Sequence, residues 1–398
     1  MVMLDLTMER KPLQERWKTS ESFDSAKFEK ALADAIARIR KNIPIIGAGN
    51  PRDITVDGIY TLVENRVWTT GFYPGMLWIA YAMTKDPVFL EAGKVQTRSF
   101  QHRLDTRCEM NNHDVGFLFT LSAKADYLLT GDTAARDAAI DAAYCMSELY
   151  MHKAGVLNRG GGYSTKDEET EMFIIDCMNN IPMLFWAAEV TGDRVLYEIA
   201  YSHAKKAINT LLFPCGASAH VGIAEIKSGR LYRNMSISQG KGGEDAIWSR
   251  AQAWAVAGLP ISYRYTKDPA ILEDAKRAAD FFLNRMPEDL VAPWDLYFDD
   301  CETQKDTSAS AIAACGLLEL AEHVSAEEQP IYRNAALKII NALIDRYQIP
   351  SDGANMGILD GATYTFLAGK GVNVPNLFGD YYFCEALFRL TDRFLNFW

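Results

Sequence analysis

The 398-residue chain is 48% hydrophobic and 23% charged, with 27 Gly and 14 Pro, a globular composition that excludes disordered and fibrous classes. Its formal net charge of −11 argues against a nucleic-acid backbone as partner, because such binders carry a basic footprint. No apolar run approaches the roughly 18 residues of a membrane-spanning helix, and charges at Asp5, Glu9, Arg10 and Lys11 deny MVMLDLTMERKPLQERW the uninterrupted apolar core of a signal peptide.

Beyond that stretch apolar residues recur at three and four, and few segments alternate as strands do, so the chain reads as mostly helical. An amphipathic helix is expected over about Ser25 to Lys41. A recurring turn then punctuates the chain: AMTKDP (Ala82 to Pro87), LTGD (Leu129 to Asp132), VTGD (Val190 to Asp193), YTKDP (Tyr265 to Pro269) and a looser VSAEEQP (Val324 to Pro330). Each turn separates a helix that is apolar almost all round, such as DVGFLFTLSAKADYLL or SASAIAACGLLELAEH, from one that is amphipathic and more charged. The Asp of the turn suits the cap of the next helix, and the Pro its first turn. A last helix is expected over Gly379 to Phe397, which makes about a dozen.

Short turns force neighbouring helices antiparallel, so all the apolar helices run the same way. Six inner and six outer helices closing on themselves give an all-α (α/α)6 barrel, a toroid. An open solenoid is the alternative; the irregular repeat spacing and the lack of a capping repeat speak against it. Residues 1–398 read as one catalytic domain, with residues 1–24 as a non-repeat N-terminal segment. Seven cysteines without a CxxC pair, several of them (Cys145, Cys177, Cys315, Cys384) inside apolar helical patterns, read as reduced core residues of a cytoplasmic protein.

Parallel inner helices place their N-termini at one mouth, so the segments just before them should line a common cavity. These are WTTGFYPG (Trp68 to Gly75), NNHD (Asn111 to Asp114), IIDCMNN (Ile174 to Asn180), GEDAIWSRAQAW (Gly243 to Trp254), DTSAS (Asp306 to Ser310) and FGDYYF (Phe378 to Phe383). Aromatic faces beside hydrogen-bonding groups suit a carbohydrate. The plainer alternative is that the aromatics fill the core and the acids cap helices, and it is preferred for Asp306 and Asp380. Asp114 and Asp176 stand apart, because His113 flanks one and Asn179 and Asn180 the other, where a cap needs no such neighbours. A charge in a closed core costs several kcal/mol unless it is paired or wet. His113 and His220 taken singly fit structure as well as chemistry. No clustered His spacing supports a metal, GGG at Gly160 to Gly162 lacks the context of a phosphate loop, and GxSxG is absent.

HDVGFLFT, IIDCMNNIPMLFWA, WSRAQAWAVAGLPISYRYT, DTSASAIAACGLLEL and GDYYFCEALFRL, in that order between Trp68 and the end of the sequence, resemble glycoside hydrolase family 88, the unsaturated glucuronyl hydrolases. The resemblance implies an (α/α)6 barrel without a cofactor. It also implies removal of a 4,5-unsaturated uronic acid from the non-reducing end of lyase-generated oligosaccharides, typically from glycosaminoglycans. The chemistry it implies is hydration of a vinyl ether: Asp176, as general acid and base, protonates C4 of the C4=C5 bond and helps water add at C5. Rearrangement of the hemiketal then breaks the glycosidic bond. Asp114 would be the second carboxylate, bonding sugar hydroxyls and holding Asp176 partly protonated by like-charge proximity.

Further positions follow from the same resemblance. Arg250 and Gln239 match substrate-contacting positions, Arg250 by charge-assisted bonds to the uronate carboxylate. His113 and His220 match site histidines, and Trp68, Trp254 and Tyr364 match ring-contacting aromatics. The chain departs from the family in AGVLNRGGGYSTKDEETEM before Asp176, where a Trp is frequent and only Tyr163 is aromatic here. YTFLAGKG, Tyr364 to Gly371, carries Thr365, Ala368 and Lys370 where sulfate-preferring members have two serines and a lysine. Lys370 is therefore expected to attract an anion without tight 6-O-sulfate recognition. Asp360 replaces a common His, Asn373 an acid, and KGGEDAIW is one residue longer than usual. All these changes leave the reaction in place and the leaving sugar open.

Three other functions fit less well: an unsaturated rhamnogalacturonyl hydrolase acting on pectin fragments, a sugar isomerase or epimerase with paired histidines, and a non-catalytic sugar-binding toroid. The expected partner is an unsaturated oligosaccharide, with no nucleic acid or membrane, and the oligomeric state stays open.

Overall fold

The computed structural model describes residues 5–161, 169–237, 239–240, 246–297 and 304–398. Tyr163, Gly162, Cys301 and positions 241–245 of the KGGEDAIW stretch lie outside the described residues. The chain begins with α1 (Glu15–Lys18), α2 (Ser25–Ile46), a hairpin of β1 (Asn50–Val56) and β2 (Ile59–Val63), α3 (Phe72–Thr84) and α4 (Pro87–Asp105). It continues with α5 (Val115–Phe119), a π-helical turn over Thr120–Lys124, α6 (Ala125–Thr130), α7 (Thr133–Ser147), β3 (Tyr150–Met151), β4 (Val156–Leu157) and β5 (Thr170–Ile174). A 3-10 turn (Ile175–Asn179), α8 (Pro182–Thr191), α9 (Arg194–Leu211), β6 (Val221–Glu225), β7 (Leu231–Arg233), α10 (Ser249–Thr266) and α11 (Pro269–Asn284) follow. The last elements are α12 (Thr307–Ala321), α13 (Gln329–Tyr347), β8 (Thr363–Thr365), β9 (Lys370–Val372) and α14 (Leu377–Phe388).

The helices apolar on all sides form the inner ring: α3, the α5–α6 pair, α8, α10, α12 and α14. Every residue of α12 and of α14 is buried. Each large apolar side chain so buried contributes about 1.5–3 kcal/mol. Inner neighbours pack in sequence order, α10 on α12 and α12 on α14, and α14 returns to pack on α3. The ring is therefore closed, and the open solenoid is excluded. Backbones approach closely where glycine allows it: a Cβ on Gly316 of α12 would lie 2.4 Å from the Val256 carbonyl oxygen of α10. The outer layer consists of α2, α4, α7, α9, α11 and α13.

Four of the expected turns have one geometry. Lys85, Gly131, Gly192 and Lys267 end their helices in the left-handed region at φ 56°, 75°, 75° and 53°. The next residue, Asp86, Asp132, Asp193 or Asp268, accepts the N–H of the residue two further on at 2.9 Å. Each such cap stabilises its outer helix by about 1 kcal/mol. The looser turn differs, since Glu328 makes no side-chain cap bond to α13.

Two helix ends depart from expectation. The first long helix runs past Lys41 and Pro44 to Ile46, where Gly47 donates to the Ile43 carbonyl and turns the chain. The last stops at Phe388, because Trp398 folds back to donate from Nε1 to Glu385 Oε2 at 2.7 Å and stacks on Tyr382. A larger difference is the presence, among the described residues, of nine short strands in the connections, which the helical periodicity does not announce.

Asp380 is a buried acid in the first turn of α14, but the cap there is Asn376. Its Oδ1 accepts the N–H groups of Ile358 and Leu359, and its Oδ2 the Tyr60 hydroxyl at 2.8 Å, so it ties the β1–β2 hairpin to the ring. Burial outweighs these donors and raises its carboxyl from 3.8 to about 7. A raised folded value means the native state holds the extra proton, so the stabilisation is complete below pH 3.8 and is lost as pH rises through about 7. Asp380→Asn keeps the neutral form. Relative to the variant, the wild type should lose roughly 4 kcal/mol of unfolding free energy across that window, at about 1.4 kcal/mol for each tenfold difference in proton affinity between the folded and unfolded chains. Parallel stability curves in urea titrations from pH 4 to 8 would refute this assignment.

Candidate active site

Asp114 precedes α5, yet its side chain makes no cap bond. The turn is held instead by Asn112, whose Oδ1 accepts the Asp114 N–H at 3.0 Å. Asp176 lies on the 3-10 turn that follows β5, where the Ile175 N–H donates to the His220 carbonyl. The two acid-bearing segments meet at Gly116 and Asn180: a Cβ on Gly116 would lie 2.5 Å from the Asn180 Cα and carbonyl oxygen. Asn180 then accepts the Phe117 N–H at 2.7 Å and donates to the Asp176 carbonyl. Asn179 donates to the Trp254 carbonyl at 2.8 Å. The asparagines beside Asp176 thus serve as scaffolding that fixes the spacing of the acids.

Each acid has a histidine beside it. His113 Nε2 lies 3.5 Å from Asp114 Oδ1, and His220 Nε2 lies 3.5 Å from Asp176 Oδ1. Burial pushes the Asp114 carboxyl up despite His113 and Arg159, and it pushes the His113 imidazole down toward the neutral form. Burial also acts on Asp176, but there the close approach and charge of His220, with His113, prevail and hold the carboxyl below the usual value. This corrects the expectation that Asp114 keeps Asp176 protonated: of the two acids, Asp114 is the one whose carboxyl is raised.

A cavity of about 240 Å³ opens over these groups. One wall is aliphatic, made by Met172 and Ile174 of β5 and Val221 of β6, strands paired antiparallel with Ile174 opposite Val221. The other is aromatic. Trp68 donates to the Tyr364 hydroxyl at 3.2 Å, and Trp248 sits edge-on to His220 with centroids 4.8 Å apart. Arg250 lies between, donating to Asp306 Oδ2 at 2.7 Å and to the Thr363 and Tyr364 carbonyls. Its guanidinium lies 4.4 Å from the Trp248 ring centroid. Four buried polar atoms of the described lining residues have no hydrogen-bond partner within the protein: Asp176 Oδ1, His113 Nε2, His220 Nδ1 and Trp248 Nε1. Buried polar groups are normally satisfied, so this concentration marks a place built for a polar ligand.

A family model described as Glycosyl Hydrolase Family 88 matches residues 52–387. The chain belongs to this family. An unsaturated chondroitin disaccharide hydrolase of Streptococcus pneumoniae is 34% identical over 399 residues, covering 99% of each protein. The crystal structure of an unsaturated glucuronyl hydrolase from Streptococcus agalactiae matches with a TM-score of 0.91 at 32% identity, covering 98% of this chain and 100% of that one. A variant of that enzyme complexed with dGlcA-GalNAc6S matches with a TM-score of 0.84 at 30% identity, with the same coverage.

Among the positions suggested by the Family 88 resemblance, the cavity brings together Trp68, His113, Asp114, Asp176, His220, Gln239, Arg250 and Tyr364. Two others fall outside its lining. Trp254 is fully buried in the ring core, with centroids 5.3 Å from Phe117 and 5.5 Å from Tyr382. Lys370 is held by Asp53 at 2.6 Å and stands 4.4 Å from the Tyr364 ring centroid, so its charge is already paired. Arg250 lines the cavity with its charge balanced by Asp306, which at the same time caps α12 through the Ser308 N–H. The cap expected of Asp306 is present.

The sequence reading missed Arg159, Met172, Ile174, Val221 and Trp248 as lining residues. Trp248 and Ile174 both stood in rim segments, and Trp248 precedes α10 directly, which were usable signals. Met172 and Val221 had none, since β5 and β6 are too short to show alternation above the helical background.

Proposed function

We propose that the protein removes a 4,5-unsaturated uronic acid from the non-reducing end of lyase-generated oligosaccharides by hydrating the C4=C5 bond. The observation that carries this is the Asp114–Asp176 pair in one cavity, with Asp176 Oδ1 buried and unbonded. The names of the S. pneumoniae and S. agalactiae relatives support the substrate class, and the bound dGlcA-GalNAc6S supports a glycosaminoglycan source.

Asp176 acts as general acid and base. A bound uronate excludes water and adds a negative charge, both of which raise the Asp176 carboxyl and let it carry a proton. That proton passes to C4, and positive charge develops at C5 and the ring oxygen. The resulting Asp176 carboxylate stabilises this charge in a water-poor cavity. It then takes a proton from the water that adds at C5. The hemiketal so formed opens, which breaks the glycosidic bond and frees a 4-deoxy-5-keto-uronic acid. Asp114 bonds sugar hydroxyls, the Trp68 and Tyr364 faces meet the ring, and His113, His220 and Gln239 complete the polar contacts.

The enzyme is proposed to act as one domain and in the cytoplasm; six described cysteines are unpaired, as a reducing compartment favours. No described helix is long and apolar enough to cross a membrane. The test is loss of the ultraviolet absorbance of the conjugated uronate on mixing with unsaturated disaccharides from chondroitin, hyaluronan, heparin and rhamnogalacturonan. Loss on the glycosaminoglycan fragments is expected. Loss on rhamnogalacturonan alone would transfer the assignment to pectin fragments, and no loss on any would leave a sugar-binding protein.

A further inference from the structure

We propose that Asn180 is a positioning residue that holds His113 in its Nε2-protonated tautomer, so that His113 and Asp114 together present one donor and one acceptor to a single hydroxyl of the substrate. The inference rests on the function proposed above. Asn180 and His113 are buried, at 0% and 1% exposure, so their polar atoms must find partners in the protein or in a ligand. The orientation of the Asn180 amide follows from two backbone groups whose roles are fixed. The Phe117 N–H can only donate, so the atom it meets at 2.7 Å is the amide oxygen. The Asp176 carbonyl can only accept, and it meets the amide nitrogen at 3.3 Å. The other N–H of that nitrogen faces His113 Nδ1 at 3.4 Å, which must therefore be an acceptor. A neutral imidazole then carries its proton on Nε2.

Nε2 is the ring atom that lies 3.5 Å from Asp114 Oδ1, and it has no hydrogen-bond partner within the protein. Burial, Arg159 and His220 favour the neutral ring, and Asp114 and Asp176 oppose them without prevailing. The cavity therefore meets an N–H beside a carboxyl oxygen. A hydroxyl fits that couple, because it accepts from the one and donates to the other. Asn180 also serves Asp114 in a second way. Phe117 stands three residues after Asp114, where a helix N–H is normally taken by the capping side chain. Asn180 accepts that N–H in its place, which leaves the Asp114 carboxyl to face the cavity.

The test joins a long-range 1H–15N correlation spectrum of the 15N-histidine-labelled protein to kinetics, with the His113 signals assigned by their loss in His113→Gln. Wild-type His113 should show a bare Nδ1 and a protonated Nε2. His203 is the internal control: its Nδ1 accepts the Leu157 N–H at 3.0 Å, so its signals should stay the same in every variant. Asn180→Asp keeps an acceptor for the Phe117 N–H but turns an acceptor toward His113, so Nδ1 should become protonated. KM for an unsaturated chondroitin disaccharide should then rise about 3- to 10-fold, as for one lost hydrogen bond, with kcat changed by less than about threefold. Of two substrates lacking the 2- or the 3-hydroxyl of the uronate, one should show no difference between wild type and variant, and it identifies the hydroxyl. A protonated Nδ1 in wild type would overturn the proposal, even where the variant fails to fold. A folded variant whose Nδ1 stays bare, an unchanged KM, or equal increases on both deoxy substrates would do the same. Wild type inactive on every disaccharide would instead overturn the functional assignment, and the spectrum by itself would still decide the tautomer.

Discussion

Asp176→Asn is expected to leave the protein folded and to reduce turnover of unsaturated disaccharides by about 10³-fold, within the 10²–10⁴ attributed to general acid–base catalysis. The fold should tolerate the change because Asp176 Oδ1 takes no hydrogen bond from the protein and the turn around it is held by backbone contacts and by Asn180. Asparagine preserves the shape but can neither protonate C4 nor accept the proton of the attacking water. Decay of the conjugated-uronate absorbance, with circular dichroism as the check on folding, measures the effect. A folded variant retaining more than about a tenth of wild-type kcat would remove Asp176 from the proton-transfer role.

Asp306→Ala should produce the largest loss of stability, about 3–5 kcal/mol, because it strands the buried Arg250 charge. Both side chains are nearly inaccessible, at 3% and 0% exposure. Asp306 also caps α12 and accepts the Thr363 N–H at 3.2 Å, so the pair joins three parts of the cavity wall. Urea unfolding of the single variant and of Asp306→Ala combined with Arg250→Met separates the contributions. The double variant should recover part of the loss, since no charge is left unpaired. If it is no more stable than the single variant, the cap and backbone bonds carry the effect; a loss below about 1 kcal/mol would show that the pair is dispensable.

The architecture was legible where short-range chemistry determines it. An Asp following a helix end, as at Asp86, Asp132, Asp193 and Asp268, reads as a cap and is one. The inner helices show themselves because no face of them is polar. The site was legible only in part. Asp114 and Asp306 both precede an apolar helix; the flanking His113 sets Asp114 apart, and it makes no cap bond, while Asp306 caps as its position suggests, but its pairing with Arg250 is written in no local pattern. Trp248 falls before α10 and Trp254 inside it, so the first lines the cavity and the second is packed in the ring core. The pairing of Lys370 with Asp53 spans 317 positions, and no pattern along the chain foretells it.

Closure of the ring by α14 against α3 also bears on synthesis. Trp68 and Tyr364, which share a hydrogen bond across the cavity mouth, are 296 positions apart. A ribosome adding about 5–20 residues per second needs on the order of fifteen seconds or more to make the second after the first. Throughout that interval the inner faces of the early helices await their last neighbour, and such nascent surface is prone to aggregate. Catalytic competence therefore arrives late, as the final helix enters the ring, and a ribosome stalled before Leu377 holds apolar helices that lack the closing neighbour of the toroid.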